Sequence, residues 1–126
     1  MDSDTVRLGD GKYLLVTTFK RDGTAVPTPV WVVRDGTELL FWTVANSGKV
    51  KRIRNNGRVE VAECDFRGAK SGPTTPGTAR LLDADGSEHT RRLIQRKYGI
   101  VGRITMLGSR LRRGPNGTIG VAITLD

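Results

Sequence analysis

The residues best suited to chemistry lie in residues 41–56, where an apolar run predicts a strand that passes through a polar turn into a short helix. Asn46 or Ser47 can cap this helix by accepting a hydrogen bond from a free backbone N–H. Gly57 can end it. The helix carries four cations and no acid, namely Lys49, Lys51, Arg52 and Arg54.

Lys49 falls in the first turn of this helix, where the aligned peptide dipoles already place positive partial charge. An anion bound there would relieve the conflict, because free N–H groups, a capping hydroxyl and an ammonium group would converge on one phosphate. A run of like charges is also typical of a solvated surface. The residues alone therefore leave two interpretations open, a phosphate-binding helix start and a solvated basic helix.

Net charge points to a polyanionic partner. Lys and Arg number 21 against 13 Asp and Glu, which gives a net charge of +8. Nucleic acids and phosphorylated cofactors both fit this excess. Proteins that bind single strands add exposed aromatic platforms, whereas only 6% of this chain is aromatic and no run alternates basic with aromatic residues. A phosphorylated small molecule is therefore the favoured partner, and nucleic acid is the weaker alternative.

The length of 126 residues predicts a single domain over residues 1–126. No apolar run approaches the roughly 20 residues of a membrane span, and the N-terminal residues lack the order of a signal peptide. We therefore expect a cytoplasmic protein without membrane contact. The single Cys64 and single His89 cannot build the usual zinc site, so we expect no metal. A catalytic Cys64–His89 pair is less favoured than a small core cysteine and a surface histidine.

The elements that must position these residues are mostly short strands. Alternating or β-rich runs predict six of them, over residues 13–19, 24–34, 38–44, 58–66, 78–83 and 118–125. Asp-Gly pairs at 22–23 and 35–36 make the first three strands an antiparallel meander, and a third pair at 85–86 predicts another turn. Residues 1–10 read as a polar lead and residues 68–77 as a loop. Such a set of strands favours a small closed or partly closed barrel.

Two or three short helices complete the prediction. After the basic helix, Ser87 is expected to cap a second helix, and Gly99 is expected to stop it. A stripe of apolar residues at helical spacing extends a further segment beyond Gly99, through Ile100, Ile104, Leu107 and Leu111.

Pro27 and Pro29 are unusual within a predicted strand. They lie two residues apart, so both missing N–H groups face one side, which must be an edge, a bulge or a gap. A gap in a barrel wall could hold a flat ring, with free backbone groups near Val30–Val32 at its polar edge. A protected sheet edge explains the prolines equally well.

The order of several motifs resembles the pyridoxamine 5'-phosphate oxidase-like split β-barrel proteins, and more narrowly their branch of oxidoreductases that use the deazaflavin coenzyme F420. The likeness covers residues 12–66. It is carried by residues 23–31 (Gly-Thr-Ala-Val-Pro-Thr-Pro-Val-Trp), Asp35-Gly36, Thr43 and residues 47–52 (Ser-Gly-Lys-Val-Lys-Arg), which lead to Arg58-Val59.

The resemblance implies a mainly β split barrel of the FMN-binding type, assembled as a homodimer with the cofactor at the subunit interface. One strand would flank the ring, and the turn and helix after residue 43 would hold the phosphate. The cofactor-binding residues that it implies are Pro29, Val30, Trp31, Val32, Thr43, Asn46, Ser47, Lys49, Lys51 and Arg52. Many relatives place an Arg where Ser47 stands, so the phosphate contact here would rest more on the lysines and Arg52.

The implied activity is hydride transfer between F420 and a small organic substrate. F420 continues beyond its phosphate into a tail of several carboxylates, so a long basic track suits it better than FMN. Arg110, Arg112 and Arg113 could extend that track. The alternatives are an FMN-binding flavoprotein, a non-enzymatic cofactor- or haem-binding barrel, and a nucleic-acid-binding barrel. No catalytic residue is predicted, because the sequence places neither Tyr13 nor Tyr98 at the site as a proton donor.

Overall fold

The computed structural model describes the backbone of residues 3–113 and 117–126 and the side chains of residues 3–99 and 117–126. These ranges contain three helices, α1 (Ser3–Gly9), α2 (Gly48–Asn55) and α3 (Ala84–Arg113). They also contain seven strands, β1 (Leu14–Phe19), β2 (Ala25–Val30), β3 (Val33–Asp35), β4 (Glu38–Val44), β5 (Arg58–Glu63), β6 (Thr75–Leu81) and β7 (Thr118–Leu125). In this part of the chain, no helix is both long enough and apolar enough to span a membrane.

The seven strands form one antiparallel sheet in the order β2-β1-β5-β6-β7-β4-β3. Its two edge strands follow each other in the chain, because only Trp31 and Val32 separate the end of β2 from the start of β3. Three peptide units reach about 11 Å at most, so the sheet must curl until its edges almost meet. The two edges do not pair, which leaves a split in the barrel wall. The predicted mainly β split barrel is therefore confirmed.

The core fills the curled sheet and is closed by helices. Inward residues of β1 alternate with outward ones, and Leu14 and Val16 are fully buried. The short helix α2 contributes Ile53 to this core, and α1 contributes Leu8. Because α2 packs against β1 and β6, its first turn is fixed relative to the barrel wall.

The two prolines lie in an edge strand. Pro27 pairs with Thr17 and Pro29 with Leu15, so β2 has a hydrogen-bonded neighbour on the β1 side only. An edge strand tolerates missing N–H groups on its open side, which is why both prolines fit here. The open side of the prolines, which the sequence left as an edge, a bulge or a gap, is therefore a sheet edge, and this edge borders the split.

Three predicted strand or loop boundaries were wrong. The strand expected over residues 24–34 divides into β2 and β3, since each belongs to a different edge of the sheet. The loop expected over residues 68–77 ends earlier, because Thr75 already pairs with Val61. The strand expected over residues 58–66 ends at Glu63, and Phe66 is 64% exposed. Cys64 forms only an isolated bridge with Lys70 and is half-buried.

The helix starts also differ from expectation. The polar lead contains α1, whose Arg7 pairs with Glu63 of β5. The turn expected at Asp85-Gly86 is the first turn of α3, because Asp83 Oδ1 accepts from the Gly86 N–H at 2.8 Å. Ser87 is therefore not the cap.

The Ser87 hydroxyl instead accepts from the Gly120 N–H at 2.9 Å, which ties α3 to β7. The helix break predicted at Gly99 is confirmed. Gly99 has φ 65° and ψ −141°, and two helical segments meet there within α3.

Candidate functional site

The start of α2 follows directly from β4. Ser47 has an extended backbone (φ −70°, ψ 160°), and its hydroxyl accepts from the Val50 N–H at 3.4 Å. Ser47 is therefore the cap, and the exposed Asn46 precedes it in the turn. Asn56, rather than Gly57, is the C-terminal cap, and its backbone N–H donates to the Arg52 carbonyl. Among the first N–H groups of α2, that of Ser47 donates to the Val44 carbonyl and that of Val50 to the Ser47 hydroxyl, which leaves those of Gly48 and Lys49 to an anion.

Two cations converge at this helix start. Arg52 Nε donates to the buried hydroxyl of Thr18 in β1 at 2.6 Å. The guanidinium lies so close to Gly48 that a β-carbon there would stand 2.7 Å from Arg52 Nη1. Lys49 is half-buried beside it. We call Ser47, Lys49 and Arg52 the α2 cluster.

The α2 cluster concentrates positive charge without compensation. Burial lowers the pKa of Lys49 below its usual 10.5, and the charge of Arg52 lowers it further. The first turn of α2 contains no acid. None of the ion pairs among the described residues involves Lys49, Lys51, Arg52 or Arg54. The cluster can therefore bind an anion without first giving up an internal partner.

Lys51 and Arg54 extend the charge outward along α2. Both side chains are exposed, in contrast to the half-buried Lys49 and Arg52. The four cations thus form an inner pair at the helix start and an outer pair on the solvent side. The tail contacts predicted for Arg110, Arg112 and Arg113 lie outside the described side chains.

The second group of predicted residues borders the split. Pro29 and Val30 end β2, and Trp31 and Val32 cross to β3. The Trp31 side chain is half-buried, whereas Val32 is fully buried in the core.

The predicted residue Thr43 lies on a different strand, half-buried on β4 opposite Ile119 of β7.

The main chain of Val32 is not free, contrary to the expectation of open backbone groups near the split. Its N–H donates to the Tyr98 hydroxyl oxygen at 3.0 Å, and its carbonyl accepts from Lys97 Nζ at 2.7 Å. The Tyr98 hydroxyl also donates to the Lys12 carbonyl oxygen at 2.5 Å. The ring of Tyr98 stacks on that of Trp31. Lys97 and Tyr98, at the end of the first segment of α3, therefore bind the backbone that crosses the split.

Sequence reasoning missed Lys97 altogether and left Tyr98 unplaced. Lys97 Nζ contacts three carbonyl oxygens, those of Gly9 (2.8 Å), Gly11 (2.5 Å) and Val32. Burial lowers the pKa of the Lys97 amine. Burial also raises the pKa of the Tyr98 phenol to about 12. The only sequence signal is their place just before the predicted stop at Gly99.

The two groups of predicted residues lie along the same strand of the barrel. Thr18, which contacts Arg52, and Leu14, which pairs with Val30, are four residues apart on β1. At about 3.3 Å per residue, this separates the α2 cluster from the end of β2 by about 13 Å along β1. The spacing suits an elongated ligand with an anionic group at one end better than a compact one.

A family comparison gives the fold its place among known proteins. Residues 8–118 match the family model described as pyridoxamine 5'-phosphate oxidase. The chain belongs to this family. The match covers the split, the α2 cluster and most of the barrel, so the resemblance seen over residues 12–66 extends through α3. A search of curated proteins finds no match.

Solved structures with the same fold carry different descriptions. A conserved hypothetical protein from Mycobacterium tuberculosis is 18% identical, with a TM-score of 0.73 over 99% of this chain and 81% of its own. A protein described as an F420 reductase is 14% identical, with a TM-score of 0.64 over 100% of this chain and 96% of its own. The haem storage protein HutZ from Vibrio cholerae is 12% identical, with a TM-score of 0.61 over 98% and 89%. At these identities the likeness shows the shared fold.

Proposed function

We propose that this chain is an F420-dependent oxidoreductase that transfers a hydride between F420 and a small organic substrate. The observation that carries the proposal is the convergence of Lys49 and Arg52 on the start of α2 without an acidic partner among the described residues. The family membership and the fold shared with a protein described as an F420 reductase support the same conclusion.

The residues present fit a phosphate-bearing cofactor. Lys49, Arg52 and the free N–H groups of α2 would bind its phosphate, because anions are stabilised at a helix N-terminus and most of all by charged donors. Trp31, beside the split, would face the ring. F420 supplies the hydride-carrying ring carbon when it is bound. The task of the chain is then to orient that ring and to keep water from it.

The outer pair favours F420 over FMN. FMN ends in a single phosphate, which the inner pair alone could satisfy. The F420 tail carries additional carboxylates, and Lys51 and Arg54 are exposed cations placed to meet them. An FMN-binding flavoprotein is the second candidate, since it would use the same inner pair.

Haem binding is less well supported by the side chains that could ligate iron. His89, the only histidine of the chain, is exposed, and its Nε2 lies 3.0 Å from Asp35 Oδ2. Cys64, the only cysteine, is half-buried, and burial raises the pKa of its thiol. Histidine and cysteine thiolate are common ligands of haem iron, and here the imidazole is engaged by a carboxylate and the thiol is held in its protonated form.

We further propose that the chain acts as a homodimer with the cofactor at the subunit interface. An elongated cofactor that runs about 13 Å along one strand of a small barrel would leave most of one face uncovered by a single subunit. Light scattering at micromolar concentration with F420 present should give twice the mass of one chain. A monomer under these conditions would contradict the dimer.

An absorbance titration with F420 and with FMN, repeated at several salt concentrations, tests the choice of cofactor. We expect tighter binding of F420 and a steeper loss of its affinity with salt, because more charges are involved. Replacing both Lys51 and Arg54 with Ala should lower F420 affinity more than FMN affinity. FMN binding that is equal or tighter with the same salt slope would favour a flavin enzyme instead.

A further inference from the structure

A hydroxyl group interrupts the apolar inner row of β1. Leu14, Val16 and Thr18 point into the barrel, and all three are fully buried. Valine has the same shape as threonine and would fill the third position without bringing a polar group into the core. The Thr18 hydroxyl accepts from Arg52 Nε at 2.6 Å, so its place in the core is explained by that bond.

The position of Arg52 also depends on a missing side chain. Gly48 and Arg52 are four residues apart on α2, and helical side chains lean toward the N-terminus of their helix. The Arg52 guanidinium therefore reaches back over Gly48, where any β-carbon would come within 2.7 Å of Nη1. Even alanine at this position would push the guanidinium aside.

An unanchored arginine would not stay at this place. Cations are disfavoured at a helix N-terminus, and a free arginine side chain gains rotamer entropy in solvent. Lys49 beside it adds like-charge repulsion. Something must therefore hold Arg52 against the dipole, the neighbouring charge and its own entropy before a ligand arrives.

We propose that Thr18 and Gly48 are positioning residues that hold Arg52 ready as the second cation of the anion site at the start of α2. Thr18 anchors Nε from the barrel interior, and Gly48 leaves the space that the guanidinium occupies. The ligand side of this inference rests on the proposed function. To the proposed phosphate site the inference adds that Arg52 is pre-organised. Because the arginine is fixed before binding, it loses less entropy when the phosphate binds.

The first test compares two hydroxyl variants. Thr18→Val should lower the affinity for F420 and for FMN about tenfold, the order expected for a weakened hydrogen bond to a charged group. Thr18→Ser keeps the hydroxyl and should restore affinity to within about twofold. Thr17→Val is the matched control, because Thr17 is the neighbouring residue on the opposite face of β1 and should leave affinity unchanged.

A double-mutant cycle separates positioning from a general loss of structure. If Thr18 acts through Arg52, Thr18→Val should have no further effect on affinity in an Arg52→Met background. Gly48→Ala leaves the core untouched and should lower affinity by a similar factor in the parent but not in that background. Additive losses, or full affinity in Thr18→Val, would overturn the inference.

A cofactor-free measurement keeps the inference distinguishable from the proposed function. The Arg52 Nε–H resonance should be protected from exchange and should respond to added inorganic phosphate in the parent and in Thr18→Ser. In Thr18→Val both properties should be lost. This pattern would support the inference even if neither F420 nor FMN bound, whereas the same protection and response in Thr18→Val would overturn it while leaving the cofactor proposal intact.

Discussion

The phenol ring of Tyr98 lies parallel to the indole ring of Trp31, with 4.5 Å between the ring centroids and 8° between the planes. The same tyrosine bonds through its hydroxyl to Val32, which lies in the connection between the two edge strands, and to Lys12, which precedes β1. Trp31 is the aromatic residue that the family resemblance places beside the cofactor ring. Its orientation is therefore set by Tyr98 of α3, which lies more than sixty residues further along the chain.

Removing the Tyr98 hydroxyl should destabilise the fold. Tyr98→Phe keeps the stack on Trp31 but leaves the N–H of the buried Val32 without its partner, which costs about 1–3 kcal/mol. Chemical denaturation measures this change in the free energy of unfolding. Tyr13→Phe is the matched control, because it removes a phenol hydroxyl from a half-buried ring whose contact with Lys12 is a cation–π contact and is kept by Phe. An equal loss in both variants would contradict the role given to Tyr98.

Tyr98 should also make stability fall in alkaline solution. Burial raises its pKa from 10.0 to about 12, so the folded state keeps the phenol proton more tightly than the unfolded state does. The resulting contribution is fully present below pH 10 and is lost as pH rises toward 12. Denaturation curves across this range should show a decline in the parent that is smaller in Tyr98→Phe. The same decline in both proteins would assign it to other groups.

The uncompensated charge of Lys49 should lower the free energy of unfolding of the ligand-free protein. Its lowered pKa means that the folded state disfavours the charged amine, so this cost is present at neutral pH and disappears as pH rises through the folded pKa toward 10.5. Lys49→Met keeps the aliphatic stem and should raise the free energy of unfolding by about 0.3–1 kcal/mol near pH 7. Lys51→Met, at an exposed position beyond the first turn, should gain less. A loss of stability in Lys49→Met would contradict the dipole argument.

The same pKa should appear in cofactor binding. Affinity for F420 should fall as pH rises above the lowered pKa of Lys49, because the amine then no longer carries the charge that the phosphate meets. A series of titrations between about pH 7 and pH 10 measures the fall. In Lys49→Met the affinity should be low and should lack this pH dependence. A parent-like fall in the variant would show that another group titrates.

Local patterns were enough to predict much of the barrel. The apolar and alternating runs of β4 and β7 and the two Asp-Gly turns are short-range features, and the structure has the strands where those features place them. The cap at Ser47 and the break at Gly99 also follow from single residues whose backbone preferences are strong.

The remaining features depend on contacts between distant residues. Nothing local shows that β2 and β3 belong to opposite edges of the sheet, since the assignment depends on which strands lie between them. The bond from Arg52 to Thr18 spans 34 positions, and that from Val32 to Tyr98 spans 66. The start of α3 was misplaced because Asp83 and Ser87 are both good caps, and Ser87 is engaged by β7. Such choices are decided by packing.

The affinity of Lys49→Ala for F420 tests the central claim most directly. Loss of a charge-assisted hydrogen bond to the phosphate should weaken binding by about 1.5–3 kcal/mol while the protein stays folded. Lys70→Ala, which removes an exposed lysine outside the α2 cluster, should bind as the parent does. If Lys49→Ala binds F420 as tightly as the parent, or fails to fold, the start of α2 is not the phosphate site, and its cations form a solvated or nucleic-acid-binding surface.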